Sequence, residues 1–463
     1  MARVTGTDLT RGAIAGHFRT LAVPGALGML FNTLYNIVDM YFAGQLGTSA
    51  QAGIVLGFQA FFVANSFGVG LGAAMSALVG NALGAGDRRK ARRIAAQGLV
   101  FGLIASALLY IAGHWYAPAV IGLVSEPGAY RDDAIRYYLL LSLALPGFLL
   151  AFCCNGVLQA HGDAASMRRA MMVAFFANIA LNPLCIYGVP GLWAGLGFDG
   201  LAVSTVISQT GVMVYMLRQL LRLRTMARLR ARNFRPRLDR QGDIARQALP
   251  TAMSMLVLIL SGFVVQFALK GFGEHAVAGF GLGIRLEQIL LLPIFGMTGA
   301  LLPIAAQNLG AGEVARVREA LFFCWKVGFV LSAVAGALLW LFGGRVLALF
   351  SDDPEVIRVG VIYLRIDALI LPAYVMLFSI NGLLQALRRP MATVWISLYR
   401  QGFGIAFFVW LFVGVWGFDE HGVWFGVACA VLTGLGLSLV IVTRVARREM
   451  GGLFAPKDRQ GTG

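Results

Sequence analysis

Asp39 lies in the run NTLYNIVDMYFAG, where its neighbours are all neutral. In an apolar setting a carboxylate is expensive unless it is paired, protonated or turned to water. It is therefore a candidate for exchanging a proton or holding a cation. Asn32 and Asn36 precede it at helical spacing and share a face with it. In ANIALNPLC, Asn178 and Asn182 stand four apart, which aligns their carboxamides, and Pro183 can disrupt the helical ladder beyond them. Asn155 and Thr205 are further oxygen sources. A carboxylate with amide and hydroxyl oxygens suits a hard cation, so Asp39, Asn178 and Thr205 form a candidate Na+ site. The competing reading is a structural hydrogen-bond node between helices. Two further acids, Glu287 and Asp367, each follow an arginine, Arg285 and Arg365, by two positions. That spacing does not bring side chains together on a helix. Each acid is expected to contact substrate or a basic partner on another helix. With Asn32 and Asn36 they are candidates for a substrate cavity or a structural polar network.

Other chemistries find little support. His17, His114, His161, His275 and His421 fall in loops or at helix ends and form no metal or nucleophile constellation. The five cysteines lie in apolar runs without metal-like spacing and read as small buried residues. GAGD at 84–87 lacks the lysine of a phosphate loop. With no ATPase motif, no enzyme activity and no cofactor are expected, and transport would draw on an ion gradient.

The elements that must position these residues follow from composition. The chain of 463 residues is 58% hydrophobic and 13% charged, against about 25% charged in a soluble domain. Apolar runs near the roughly 20 residues that cross a bilayer recur along its length, and in lipid they must be helices. Spans are predicted at 21–43, 52–80, 94–118, 134–160, 170–188, 198–220, 248–270, 277–306, 321–343, 359–386, 391–415 and 422–443. The connections alternate in charge, and the set holding both termini carries the great majority of the 38 Lys and Arg residues. This places both termini in the cytoplasm. It also explains the net charge of +16 without a nucleic-acid partner. The basic segment 221–247 reads as a linker that fixes topology, or else as a helix lying on anionic lipid.

The halves repeat at a constant offset. LAVPGALGML around Pro24 matches LALPTAMSML around Pro250, ALGAGD from Ala82 matches NLGAGE from Asn308, Pro146 matches Pro372, and NGVLQA from Asn155 matches NGLLQA from Asn381. Six helices per half put both repeats in the same orientation, related by a pseudo-twofold axis along the membrane normal. The expected architecture is an all-α integral membrane protein of twelve helices in two parallel six-helix bundles. Its parts are a lobe at 1–220, a linker at 221–247, a lobe at 248–445 and a cytoplasmic tail at 446–463. Such symmetry serves alternating access. The place of Asp39 in the second repeat is taken by Val265, so the cation chemistry is expected in the N-terminal half.

On the segments NTLYNIVDMYFAGQLG, GNALGAGD, AQNLGAGE, NGVLQAHGD and ANIALNPLCIYG, the chain resembles the multidrug and toxic compound extrusion family, MATE, over roughly residues 15–445. The first-helix acid is similar to that of the DinF-like branch. There the matching acid belongs to a polar cluster coupled to protons or sodium, and Asp39, Asn155, Asn178 and Thr205 look like its members. The family often has an aspartate where this chain has Asn182, a departure that favours H+ over Na+. A glutamate important in the NorM-like branch is matched by Leu258, whereas Asp367 resembles an acid of helix 10. The resemblance implies a multidrug efflux antiporter of a bacterial-type inner membrane, working as a monomer. It would exchange H+ or Na+ for small organic, often cationic, substrates, with membrane lipids as its surroundings. The alternative it leaves is a flippase for lipid-linked or other amphipathic substrates.

Overall fold

The computed structural model describes residues 6–454, so the last residues of the expected tail lie outside the described part. The helices are α1 (Ile14–Leu46), α2 (Thr48–Gly84), α3 (Arg88–Val124), α4 (Ala129–Ser142), α5 (Leu145–Ala160), α6 (Ala165–Tyr187), α7 (Asp199–Arg222), α8 (Leu238–Lys270), α9 (Glu274–Gly310), α10 (Val314–Leu347), α11 (Pro354–Ala386), α12 (Pro390–Ser397), α13 (Ile405–Val409) and α14 (Glu420–Met450). Wider π-helical turns at Leu398–Gly404 and Trp410–Val415 run on from α12 and α13, making one long stretch. Among the described residues eleven helices are long and apolar enough to cross a membrane, and α4 with α5 makes a twelfth, bent by 52°. The protein is thus the expected all-α multi-pass membrane fold.

Local chemistry sets the helix ends. The Asp87 carboxylate accepts the Lys90 N–H at 2.8 Å and opens α3. Asp163 does the same for Ser166 at the start of α6, at 2.9 Å, and Asp353 caps α11 ahead of Pro354. These carboxylates satisfy N–H groups that a helix start leaves unpaired. The two prolines matched by the repeat behave differently. Pro146 stands in the first turn of α5, just after the break, where its missing N–H is not needed. Pro372 lies inside the continuous α11.

The helices outrun their predicted spans, because hydropathy marks only the apolar part of a helix. The largest extension at one end is that of α8, which begins at Leu238 rather than 248 and carries the polar stretch 239–247 as its first turns. No surface helix forms from the basic segment before it. Arg224–Arg228 and Ala231–Phe234 are two short 3-10 turns. Pro236 holds Arg235 in an extended conformation, which ends the second turn.

The described residues form two compact units. One holds the residues up to Asp8 with Leu27–Ala252, and the other holds Leu9–Ala26 with the residues from Met253 on. The division falls inside α1 and inside α8, at matching places in the repeat. Two matching glycines account for it. A Cβ on Gly70 of α2 would lie 2.4 Å from the Ala248 carbonyl oxygen, and a Cβ on Gly296 of α9 would lie 2.6 Å from that of Ala22. Only glycine allows these approaches. They seat the start of α8 in the first unit and the start of α1 in the second. The first unit's core gathers Leu71, Met75, Cys153, Cys154, Val157, Met216 and Ile244.

Candidate functional site

In the first unit, α1, α6 and α7 converge on Asp39. A Cβ on Gly200, at the start of α7, would sit 2.5 Å from the Cys185 carbonyl oxygen of α6. Glycine there lets the two helices close, and one turn later Ser204 and Thr205 lie beside Asn182. Asn178, Asn182 and Ser204 are fully buried, and Asp39 is 7% exposed. Asp39 Oδ1 accepts the side-chain N–H of Asn178 at 3.0 Å and of Asn182 at 2.8 Å. The other N–H of Asn182 goes to Asn178 Oδ1 at 3.1 Å, and the Ser204 hydroxyl donates to Asn182 Oδ1.

The two carboxylate oxygens are unequally served. Oδ1 has two carboxamide donors, whereas among the described residues Oδ2 has one hydrogen-bond donor, the Thr205 hydroxyl at 3.4 Å. That hydroxyl also lies 3.1 Å from the Leu201 carbonyl oxygen. Having one proton, it serves one acceptor or the other. Among the described residues no basic side chain pairs with Asp39. Oδ2 is therefore the atom at which a proton could bind with the least rearrangement. Sodium fits this arrangement poorly. The carboxamides turn nitrogen toward Asp39, and their oxygens are engaged by Asn182 and Ser204. An oxygen cage would require both amides to reverse.

The structure brings together Asp39, Asn178, Asn182 and Thr205. The other predicted members lie apart from them. Asn155 makes no hydrogen bond to Asp39, and its buried Oδ1 has no partner among the described residues. Asn32 is exposed and Asn36 half-buried, and neither is bonded to Asp39 among the described residues. Three asparagine and aspartate positions on one broad face need not meet the same neighbour. The flank that α1 buries with Asp39 is that of Tyr35, four residues earlier and 4% exposed. Pro183 does not end α6, which continues to Tyr187.

Sequence reasoning missed Tyr35, Ser204 and Ser208. The Tyr35 hydroxyl faces Thr205, Ser208 and Asn178 without a well-formed hydrogen bond to any of them. The spacing of Tyr35 to Asp39, and of Ser204 to Ser208, was the available signal.

The second unit holds another acidic cluster. Glu287 of α9 accepts a hydrogen bond from the Tyr363 hydroxyl of α11, and Asp367 lies one turn after Tyr363. Both acids are buried, and Asp367 Oδ2 has no hydrogen-bond partner among the described residues. Tyr374 lies beside Asp367, and buried Arg400 sits 6.0 Å from the Tyr374 ring centre. Arg285 and Arg365 point away and are exposed, as their spacing implies, and Arg365 lies over the Trp340 ring at 5.5 Å. Among the described residues neither acid has a basic partner within ion-pair distance. The position matched to the NorM-like glutamate, Leu258, is partly exposed.

The MatE family model matches this chain twice, at residues 24–184 and 250–410, once in each repeat. The chain belongs to the MatE family. Its relatives include the FAD transporter of Shewanella oneidensis, 29% identical over 82% of this chain and 84% of that protein. The probable multidrug resistance protein NorM of Thermotoga maritima is 23% identical over 93% and 95%. Among solved structures, a MOP superfamily transporter from Pyrococcus furiosus superposes with a TM-score of 0.88 at 23% identity, over 96% of this chain and 99% of that one. An outward-facing multidrug resistance MATE family transporter superposes with a TM-score of 0.85 at 23% identity, over 96% and 100%. The fold of this MatE protein is theirs.

Proposed function

We propose that this MatE protein is a secondary active efflux transporter that exports small organic compounds by alternating access, in exchange for H+ at Asp39. Family membership supports the transport class. The observation that carries the coupling is the one-sided hydrogen bonding of Asp39. When ionised, the carboxylate draws the Thr205 proton toward Oδ2. When Oδ2 is protonated it becomes a donor, Thr205 accepts from it, and the Thr205 proton turns to the Leu201 carbonyl. One proton thus reverses a hydrogen bond between α1 and α7, a local change of the kind that biases a two-state element. α1 carries Pro24, and MATE structures are described in a straight and a bent conformation. A repacking of α1 fits that repertoire.

The same reading takes the chain to the DinF-like branch, which the first-helix acid favours. It favours H+ over Na+ because of how the amides point. It sets the chain in a bacterial-type inner membrane with both termini in the cytoplasm, on the charge bias of the loops, working as a monomer. The acids Glu287 and Asp367 are assigned to a polar network of the second unit.

The test is flux in proteoliposomes under an imposed pH gradient or an imposed sodium gradient, with wild type and Asp39→Asn. Uptake of a fluorescent organic cation driven by the pH gradient and lost in the variant supports the reading, and sodium-driven flux overturns the choice of ion. A second reading, export of an anionic dinucleotide, is favoured by the Shewanella oneidensis FAD transporter. FAD flux in the same vesicles decides between the substrates.

A further inference from the structure

The basic segment between α7 and α8 is fastened to the first unit at several points. Leu223 and Met226 are buried in its core. The Gln97 side chain of α3, 2% exposed, donates to the carbonyl oxygens of Asn233 at 2.7 Å and Arg235 at 2.9 Å. It accepts from the Arg237 N–H at 3.1 Å and the Gln241 side chain at 2.9 Å. His161 Nε2 lies 3.0 Å from the Thr225 hydroxyl. These contacts hold the two 3-10 turns against the beginning of α3, which reads RRKARR from Arg88. Arg92 of α3 thereby lies within electrostatic reach of Arg89 and Arg93 on its own helix and of Arg228 and Arg230 on the basic segment. None of the five makes an ion pair among the described residues. Arg92 Nε is buried with no hydrogen-bond partner among them.

Like charges held within reach of a buried, unpartnered Arg92 Nε repel it, and a fixed scaffold that keeps them there calls for an anion. Two features indicate which anion. The cluster stands at the start of α3, a helix long and apolar enough to cross a membrane, and lipid headgroups gather at such helix ends. Beside it Phe234 and Leu238 are exposed, Leu238 at 89%, and such apolar side chains suit acyl chains rather than water. We propose that Arg89, Arg92, Arg93, Arg228 and Arg230 form a preformed site for the phosphodiester headgroup of an anionic phospholipid. The site needs no transported substrate and lies apart from Asp39.

The experiment measures binding of fluorescent phosphatidylglycerol and phosphatidylcholine to the purified full chain in detergent, with inorganic phosphate as competitor. Phosphatidylglycerol is expected to bind about tenfold more tightly than phosphatidylcholine. Arg228→Gln with Arg230→Gln should remove most of that preference. Arg447→Gln with Arg448→Gln changes net charge equally at the exposed end of α14 and should leave it intact. Gln97→Ala changes no charge but releases the 3-10 turns, and should also weaken the preference. If the Gln97 variant fails to fold, the two arginine pairs decide. Equal losses in both pairs reduce the effect to diffuse charge and overturn the site, as does full retention in folded Gln97→Ala. Displacement of the lipid by an equal concentration of inorganic phosphate makes it a site for free phosphate instead, and absence of a lipid preference overturns it outright.

Discussion

Replacing Asp39 by asparagine separates the charge of this residue from its shape. In the variant the side-chain oxygen can take the place of Oδ1 and keep both carboxamide donors, at 3.0 and 2.8 Å in the wild type. The new NH2 then occupies the place of Oδ2, 3.4 Å from the Thr205 hydroxyl. That hydroxyl can accept from it while donating to Leu201. No buried group loses its partner, so stability should change by no more than about 1 kcal/mol. Asp39→Leu, by contrast, strands the N–H groups of Asn178 and Asn182, at about 1–3 kcal/mol for each orphaned group. Function should split the other way. One unit of pH gradient is worth about 1.4 kcal/mol per proton, which drives up to about tenfold accumulation per proton exchanged. The wild type in proteoliposomes should approach that ratio for a one-to-one exchange. Asp39→Asn should reach no concentration gradient while still equilibrating substrate. The assays are accumulation ratio under a fixed pH step and thermal unfolding in the same detergent. A variant that sustains accumulation refutes Asp39 as the coupling group. An asparagine variant as unstable as the leucine one refutes the hydrogen-bond account.

Thr205→Val removes the hydroxyl that donates to Oδ2, so gradient-driven accumulation should fall severalfold while Thr205→Ser retains it, read in the same vesicles. In the second unit, Tyr363→Phe strands the buried Glu287 carboxyl and should cost about 1–3 kcal/mol in thermal unfolding. Glu287→Gln, which can still accept from Tyr363, should cost less. His161 titrates below its ordinary value because burial disfavours its charged form. The unfolded chain therefore takes up a proton first, and the stability this neutral histidine contributes is present at neutral pH and lost as pH falls below about 6.5. Hydrogen exchange at Thr225 and Met226 should rise through that window, and in His161→Gln the rise should be absent.

The scaffold was legible in the sequence because backbone demands leave marks that residue type alone reveals. The matched prolines, the GAGD and GAGE turns and the apolar spans are of that kind. Gly70 and Gly296 belong with them, although the helix starts they receive are far away in sequence and their role emerged only in three dimensions. The polar sites were legible in part. Asp39, Asn178, Asn182 and Thr205 are polar groups inside apolar helices, and lipid makes such groups conspicuous. Their partners were harder to choose, since a helical face is broad. Asn36 and Tyr35 both neighbour Asp39 on α1, and only packing decides that Tyr35 is the buried one.

The repeat sharpens this contrast. Val265 takes the place of Asp39, while Phe61 and Leu141 take the places of Glu287 and Asp367, and all three are buried apolar residues. Tyr137 corresponds to Tyr363 and is likewise buried, so its position kept the aromatic ring but not the acid beside it. The buried acids discussed above therefore stand on helices that do not correspond: α1 in the first unit, with partners on α6 and α7, and α9 and α11 in the second. Backbone approach and turn geometry constrain both copies of the fold alike, so the glycines and prolines stayed paired. A buried carboxylate is costly wherever it stands, and no such shared constraint ties the acids of one unit to matching positions in the other. In the proposed exchange, such an arrangement would let a proton act on α1 of one unit without a matching event in the other, which is what an exchanger needs if ion and substrate are to favour different states.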